Sequence, residues 1–125
     1  MDGFDKDLLD SAETVIGKVA ARLPADIREA TKGVAVGLEL EMADRWLDEG
    51  IDPDNLGLFS GPSLRDPECD SGFEPPRITL FLYNLWDYAE GDWDKYDAEV
   101  RRTYLHELGH YLGLEEGDMP RLGLD

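Results

Sequence analysis

The sequence predicts one small α+β domain, with a helix near each end of the chain and a short mixed sheet between them. Apolar residues recur at helical spacing toward the start and again toward the end. Between these stretches lie three short apolar runs bracketed by Gly, Pro and Asp, the pattern of strands separated by loops. Composition does not shift along the chain and no internal repeat is visible, so residues 1–125 read as a single domain.

The elements follow in order. Phe4, Leu8, Ala12, Val15, Ile16, Val19 and Leu23 make one stripe of a first helix. Acids gather in its first turns and Lys18 and Arg22 in its later ones, as the helix dipole favours, and Pro24 stops it. A further turn of helix is expected from Ala25 to Thr31, with Gly33 as the break. Val34 to Glu41 begins as a continuous apolar run and ends in alternation. That predicts a strand buried on both faces at its start and on one face at its end. Ala43 to Gly50 predicts a short helix and Ile51 to Asn55 a turn. Leu56 to Gly61 reads as a short strand, Pro62 to Pro76 as a loop, and Arg77 to Tyr83 as the strongest strand. Asn84 to Glu90 predicts a short helix, broken at Gly91 and Asp92. The last long helix should start near Asp94 to Asp97, with Val100, Tyr104, Leu108, Tyr111 and Leu112 as its core-facing stripe.

Charge narrows the function. The chain holds 29 acidic and 12 basic residues, a formal net charge of −17. Nucleic-acid binding relies on Lys and Arg displacing counterions, and here no basic cluster exceeds Arg101-Arg102. An anionic membrane surface is disfavoured for the same reason. An apolar content of 42% is too high for a disordered acidic tail, so most of the charge reads as solvated surface. The single Cys69 cannot form an intrachain disulfide. The N-terminus is acidic where a signal peptide is basic, and the longest apolar stretch, Leu80 to Trp86, is interrupted by Asn84. It falls far short of the ~20 residues of a membrane span. A cytoplasmic location is expected.

The chain has only two histidines, and they fall in His106-Glu107-Leu108-Gly109-His110. Residues four apart on a helix share a face one turn up, so both imidazoles can bind one metal ion. Glu107 points to the side of that face, where it can reach a water beside the metal rather than bind the metal. Two ligands and a general base on one rigid element is the physical content of this spacing. A shuffled chain of this composition produces it about once in six hundred. Catalytic zinc takes three protein ligands, so with both histidines used the third is a carboxylate or the Cys69 thiolate. Gly113 can end the helix in a left-handed conformation and turn the chain back toward the metal. Glu116 is the favoured third ligand, with Asp118 next and Glu115 after it, while Cys69 lies in a distant loop.

The run from His106 to Glu116 resembles the HExxHxxGxx(H/D/E) pattern of the metzincin-like zincins. The whole chain is similar to the small bacterial family of minimal, zincin-like metallopeptidases. Gly33-Val34-Ala35-Val36, Leu56 to Gly61, Arg77 to Phe81 and Val100-Arg101-Arg102-Thr103 carry that likeness alongside the motif. The resemblance implies a zincin-like fold, a bound zinc and peptidase activity. It puts the third ligand at Glu116, where the family typically has Asp. Metzincins also place a Met beneath the metal, and Met119 is too close to the motif in sequence for that role.

The expected chemistry is hydrolysis of a peptide bond by a zinc-activated water, with Glu107 as general base. A peptide or protein substrate would add to an exposed strand edge, either Gly57 to Gly61 or Ile78 to Tyr83. Tyr111 adjoins the motif but faces the core, and no oxyanion role is assigned to it. A chain this short has little material for substrate subsites. We therefore expect weak or narrowly specific proteolysis and a protein partner that completes the cleft. The alternative is a zinc-binding regulatory or interaction module without turnover, but a structural zinc needs no base and is usually closed by four ligands. A metal-dependent ribonuclease with similar ligand spacing is disfavoured by Glu107, by the carboxylate at position 116 and by the net charge.

Overall fold

The structure, a computed structural model, describes residues 2–64, 66 and 75–114. Helix α1 spans Gly3–Arg22, and the Asp2 carboxylate caps it by accepting from the Asp5 amide at 2.8 Å. Then come α2 (Ala25–Thr31), strand β1 (Ala35–Glu39), α3 (Asp44–Asp48), β2 (Gly57–Ser60), β3 (Arg77–Phe81), α4 (Leu82–Tyr88) and α5 (Trp93–Tyr111).

The strands form one mixed sheet in the order β1-β3-β2. β1 runs parallel to β3, with Val36 opposite Ile78, and β2 runs antiparallel to it, with Leu58 opposite Thr79. The most apolar run takes the centre, as burial on both faces requires: Ile78, Thr79, Leu80 and Phe81 are all fully buried. Ile78 and Leu80 join the main core with Leu8 and Ala12 of α1 and Tyr96, Val100, Tyr104, Leu105 and Leu108 of α5. Phe81 belongs to a smaller cluster with Trp46 and Leu58. Alternation along β3 thus feeds two apolar layers. Two long-range bonds tie α1 to α5: the Tyr96 hydroxyl donates to the Leu8 carbonyl at 2.8 Å, and the Ser11 hydroxyl donates to the Asp97 carboxylate.

Three elements differ from their sequence expectations. β3 ends at Phe81 rather than Tyr83, because Leu82 and Leu85 are both fully buried at helical spacing and draw the chain into α4 early. β1 is half-buried, not enclosed on both faces; it is an edge strand, and Val36 is 36% exposed. Helix α5 starts at Trp93, ahead of the expected Asp94 to Asp97, because the Asp92 side chain accepts from the Lys95 amide and caps it there. Among the described residues, no helix is long and apolar enough to cross a membrane.

One close approach fixes how the sheet sits on the last helix. β2 packs so tightly on α5 that a β-carbon at Gly57 would lie 2.7 Å from Thr103 Cγ2 and 2.9 Å from Leu80 Cδ2. Only glycine fits there. Gly57→Val should therefore destabilise the protein by about 1–3 kcal/mol through overpacking, read as a lower midpoint in urea unfolding. An unchanged midpoint would mean the strand and helix can separate freely.

Candidate metal centre

The rotation of α5 is set by its buried stripe. Tyr96, Val100 and Leu108 are fully buried, and Tyr104 and Tyr111 nearly so. With that stripe turned inward, His106 emerges half-buried and His110 exposed, one turn apart on another face. Their rings lie 4.6 Å apart, nearly perpendicular, and their Nε2 atoms are 3.0 Å apart. Two Zn–N bonds of about 2.0–2.1 Å at a tetrahedral angle separate their nitrogens by roughly 3.3 Å. The two imidazoles therefore already fit a shared tetrahedral ion to within a small adjustment. Both nitrogens suit a borderline metal ion.

Glu107 completes the cluster. Its Oε1 lies 3.8 Å from His110 Nε2, and one ligand atom from each of His106, Glu107 and His110 falls within 4.8 Å of the others. Its environment is unlike theirs, for Glu107 is only 7% exposed. Burial penalises the carboxylate and pushes its pKa up to about 7. A carboxyl poised near neutrality can both take and return a proton.

The helix ends as Gly113 suggested. Gly113 has φ 75, its amide donates to the His110 carbonyl, and the Leu114 amide donates to the Gly109 carbonyl, each at 3.0 Å. This is a Schellman turn, with Leu114 packed on the main core. Of the expected site residues, His106, Glu107 and His110 come together. Glu115, Glu116, Asp118 and Met119 lie outside the described residues, as does Cys69.

A cleft of about 380 Å³ opens beside His106 and Glu107 and runs back along α5 past Thr103, Arg102 and Glu99. Its opposite wall is the segment Asn55 to Gly57, with Tyr88 from the end of α4. That wall is fastened from behind. Asn84 Nδ2 donates to the Pro53 and Asn55 carbonyls, both at 2.8 Å, and the Phe81 amide donates to the Leu56 carbonyl at 3.0 Å. Tyr88 stands 59% exposed, and Arg102 pairs with Glu99 at 2.9 Å. Sequence reasoning missed these cleft residues. Glu99, Arg102, Thr103 and His106 share helical spacing and could have been found by it, whereas Asn55 and Tyr88 arrive from other elements. Of the two strands expected to offer an edge, β3 is paired on both sides. The outer edge of β2 has no strand partner among the described residues, and β2 begins at the cleft.

A family model described as zincin-like metallopeptidase matches residues 31–124, a span that includes β1 through α5 and the whole cluster. No curated protein matches the chain.

Burial of Glu107 makes the metal-free protein sensitive to pH. Its folded pKa of about 7 lies above its ordinary 4.5. The stability associated with the neutral carboxyl is therefore fully present below that ordinary value and is lost as pH rises through about 7. In chelator, Glu107→Gln should gain on the wild type by up to the order of 3 kcal/mol between pH 5 and 8, read by denaturant unfolding at each pH. A difference that stays constant with pH would show that Glu107 is solvated.

Proposed function

The chain belongs to the zincin-like metallopeptidase family, and from that premise we propose that it is a zinc-dependent peptidase whose general base is Glu107. In this reading His106, His110 and Glu116 hold the metal, with Asp118 as the alternative third ligand. The observation that carries it is the pair of Nε2 atoms 3.0 Å apart, with a buried carboxyl on the same helical turn. A zinc ion bound there would supply Lewis acidity, lowering the pKa of its water to about 7 and polarising a peptide carbonyl.

The remaining work falls to the chain's own residues. Glu107 takes the proton from the attacking water at its carboxylate and later donates it to the leaving amine. Its burial keeps bulk water from competing for that proton. An extended peptide or protein substrate adds to the outer edge of β2 through main-chain hydrogen bonds. It then passes between the Asn55 to Gly57 wall and α5, with the Tyr88 ring at the cleft. This small cleft supports narrow specificity, and a protein partner would extend it.

Zinc analysis and peptide-library cleavage test the reading together. The wild type should hold one zinc per chain, and His110→Ala should lose it. Glu107→Gln should keep the zinc while cleavage falls at least about 100-fold. Cleavage that survives Glu107→Gln would sink the general-base role. A wild type that binds zinc but cleaves nothing would leave the regulatory module as the better reading.

A further inference from the structure

The sheet has a second outer edge, along β1. The Ala35 amide donates inward, to the Pro76 carbonyl at 2.9 Å. Strand alternation then turns the amide and carbonyl of Val36 and Leu38 outward. Among the described residues no strand pairs with that side. Exposed edges are commonly blunted by a lysine or a proline, and this one presents Val36 and Leu38 instead.

Beneath the edge lies a groove of about 450 Å³, formed by Val36 and Leu38 with Leu9, Glu13, Ile16 and Gly17 of α1. Gly17 stands inside the helix, where glycine is unfavourable. Packing within the described chain does not demand it, because a β-carbon there would meet nothing within 4 Å. Its missing side chain keeps the groove open beside the unpaired edge. Outward main-chain groups above an apolar trough are the two halves of a strand-addition site.

Charge selects the class of strand. Glu13 is the one charged residue lining the groove, and it makes no ion pair among the described residues. It lies mid-helix, beyond the first turn where the dipole favours an acid. Further acids gather around Tyr83, whose hydroxyl donates to the Asp5 carboxylate at 2.7 Å. That bond pushes the Tyr83 pKa up to about 12, and burial, Asp2 and Glu41 add to the shift. Asp5 is one turn before Leu9, and Glu41 follows β1, so these acids mark one end of the groove. A second copy of the chain would set the same acids against them.

We infer that the outer edge of β1 binds an extended basic segment of a partner protein. The segment pairs antiparallel to β1, with apolar side chains in the groove and Lys or Arg at Glu13 and at the Asp5 and Glu41 end. Nothing in this depends on the metal centre or on the β2 edge.

The test is fluorescence anisotropy of the full chain with an end-capped, labelled peptide, Lys-Thr-Val-Thr-Val-Thr-Lys. Cross-strand neighbours share a face, so its valines and lysines meet the groove and its valine amides meet Val36 and Leu38. It should bind once per chain. N-methylation of both valines removes those donors without changing the charge, and should weaken binding at least about tenfold. The same peptide with Glu in place of Lys should bind at least about tenfold more weakly. Gly17→Leu fills the groove and should weaken the basic peptide by a similar factor, with no fall in the unfolding midpoint. His110→Ala should leave the affinity unchanged. Equal binding of the N-methylated peptide overturns the inference, since the net charge of −17 alone would then explain the attraction. Affinity that ignores Gly17→Leu overturns it, as does loss of binding in His110→Ala, which would place the peptide at the metal centre. Sedimentation as a dimer that Val36→Lys disperses also overturns it, because a second copy would then hold the edge.

Discussion

Helix α5 serves the core and the site with one rotation. Tyr96, Val100, Tyr104, Leu108 and Tyr111 are turned against α1 and the sheet, and each large apolar side chain so buried stabilises by roughly 1.5–3 kcal/mol. Turning the helix by a single residue would expose several of them. The direction of His106 and His110 is therefore held by the packing energy of residues that never touch a ligand. Tyr96 adds a lock along the axis through its bond to the Leu8 carbonyl, and Gly57 lets β2 press on Thr103 one turn before the motif. Site geometry here follows from core geometry.

The same rotation places Glu107 where water barely reaches it. An isolated carboxylate in that position is costly, which is why its proton is held to about pH 7. A dication facing the two imidazoles would invert that preference, since a nearby positive charge favours the carboxylate. The buried acid is thus a local conflict in the metal-free chain that a bound metal ion would relieve. Such conflicts between stability and chemistry concentrate at functional sites.

Much of this was legible in the sequence, for identifiable reasons. The apolar stripes of α1 and α5 follow a period that survives folding, so both helices and the direction of His106 and His110 could be read directly. Gly113 was recognisable as a helix terminator because its left-handed turn is a local property. Strand order was not legible, since pairing depends on distant partners; nothing local announces that β3 lies between β1 and β2. The run Leu80 to Tyr83 looked like continuous strand because apolar residues suit a central strand and a buried helix equally. The burial of Glu107 was likewise hidden. Spacing set it beside the ligand face, but only the packed neighbours around α5 decide how much water remains. The wall opposite His106 depends on Asn84, which read as an interruption of an apolar run and proves to be the donor that pins Asn55.

The central claim is that one turn of α5 supplies two nitrogen ligands to a zinc whose remaining protein ligand is a carboxylate. X-ray absorption at the zinc edge of the metal-loaded protein examines that donor set directly. The account predicts the scattering signature of two imidazoles with oxygen donors, all at about 2.0–2.2 Å. A zinc–sulfur distance of about 2.3 Å, drawing in Cys69, or a shell without imidazole would contradict it.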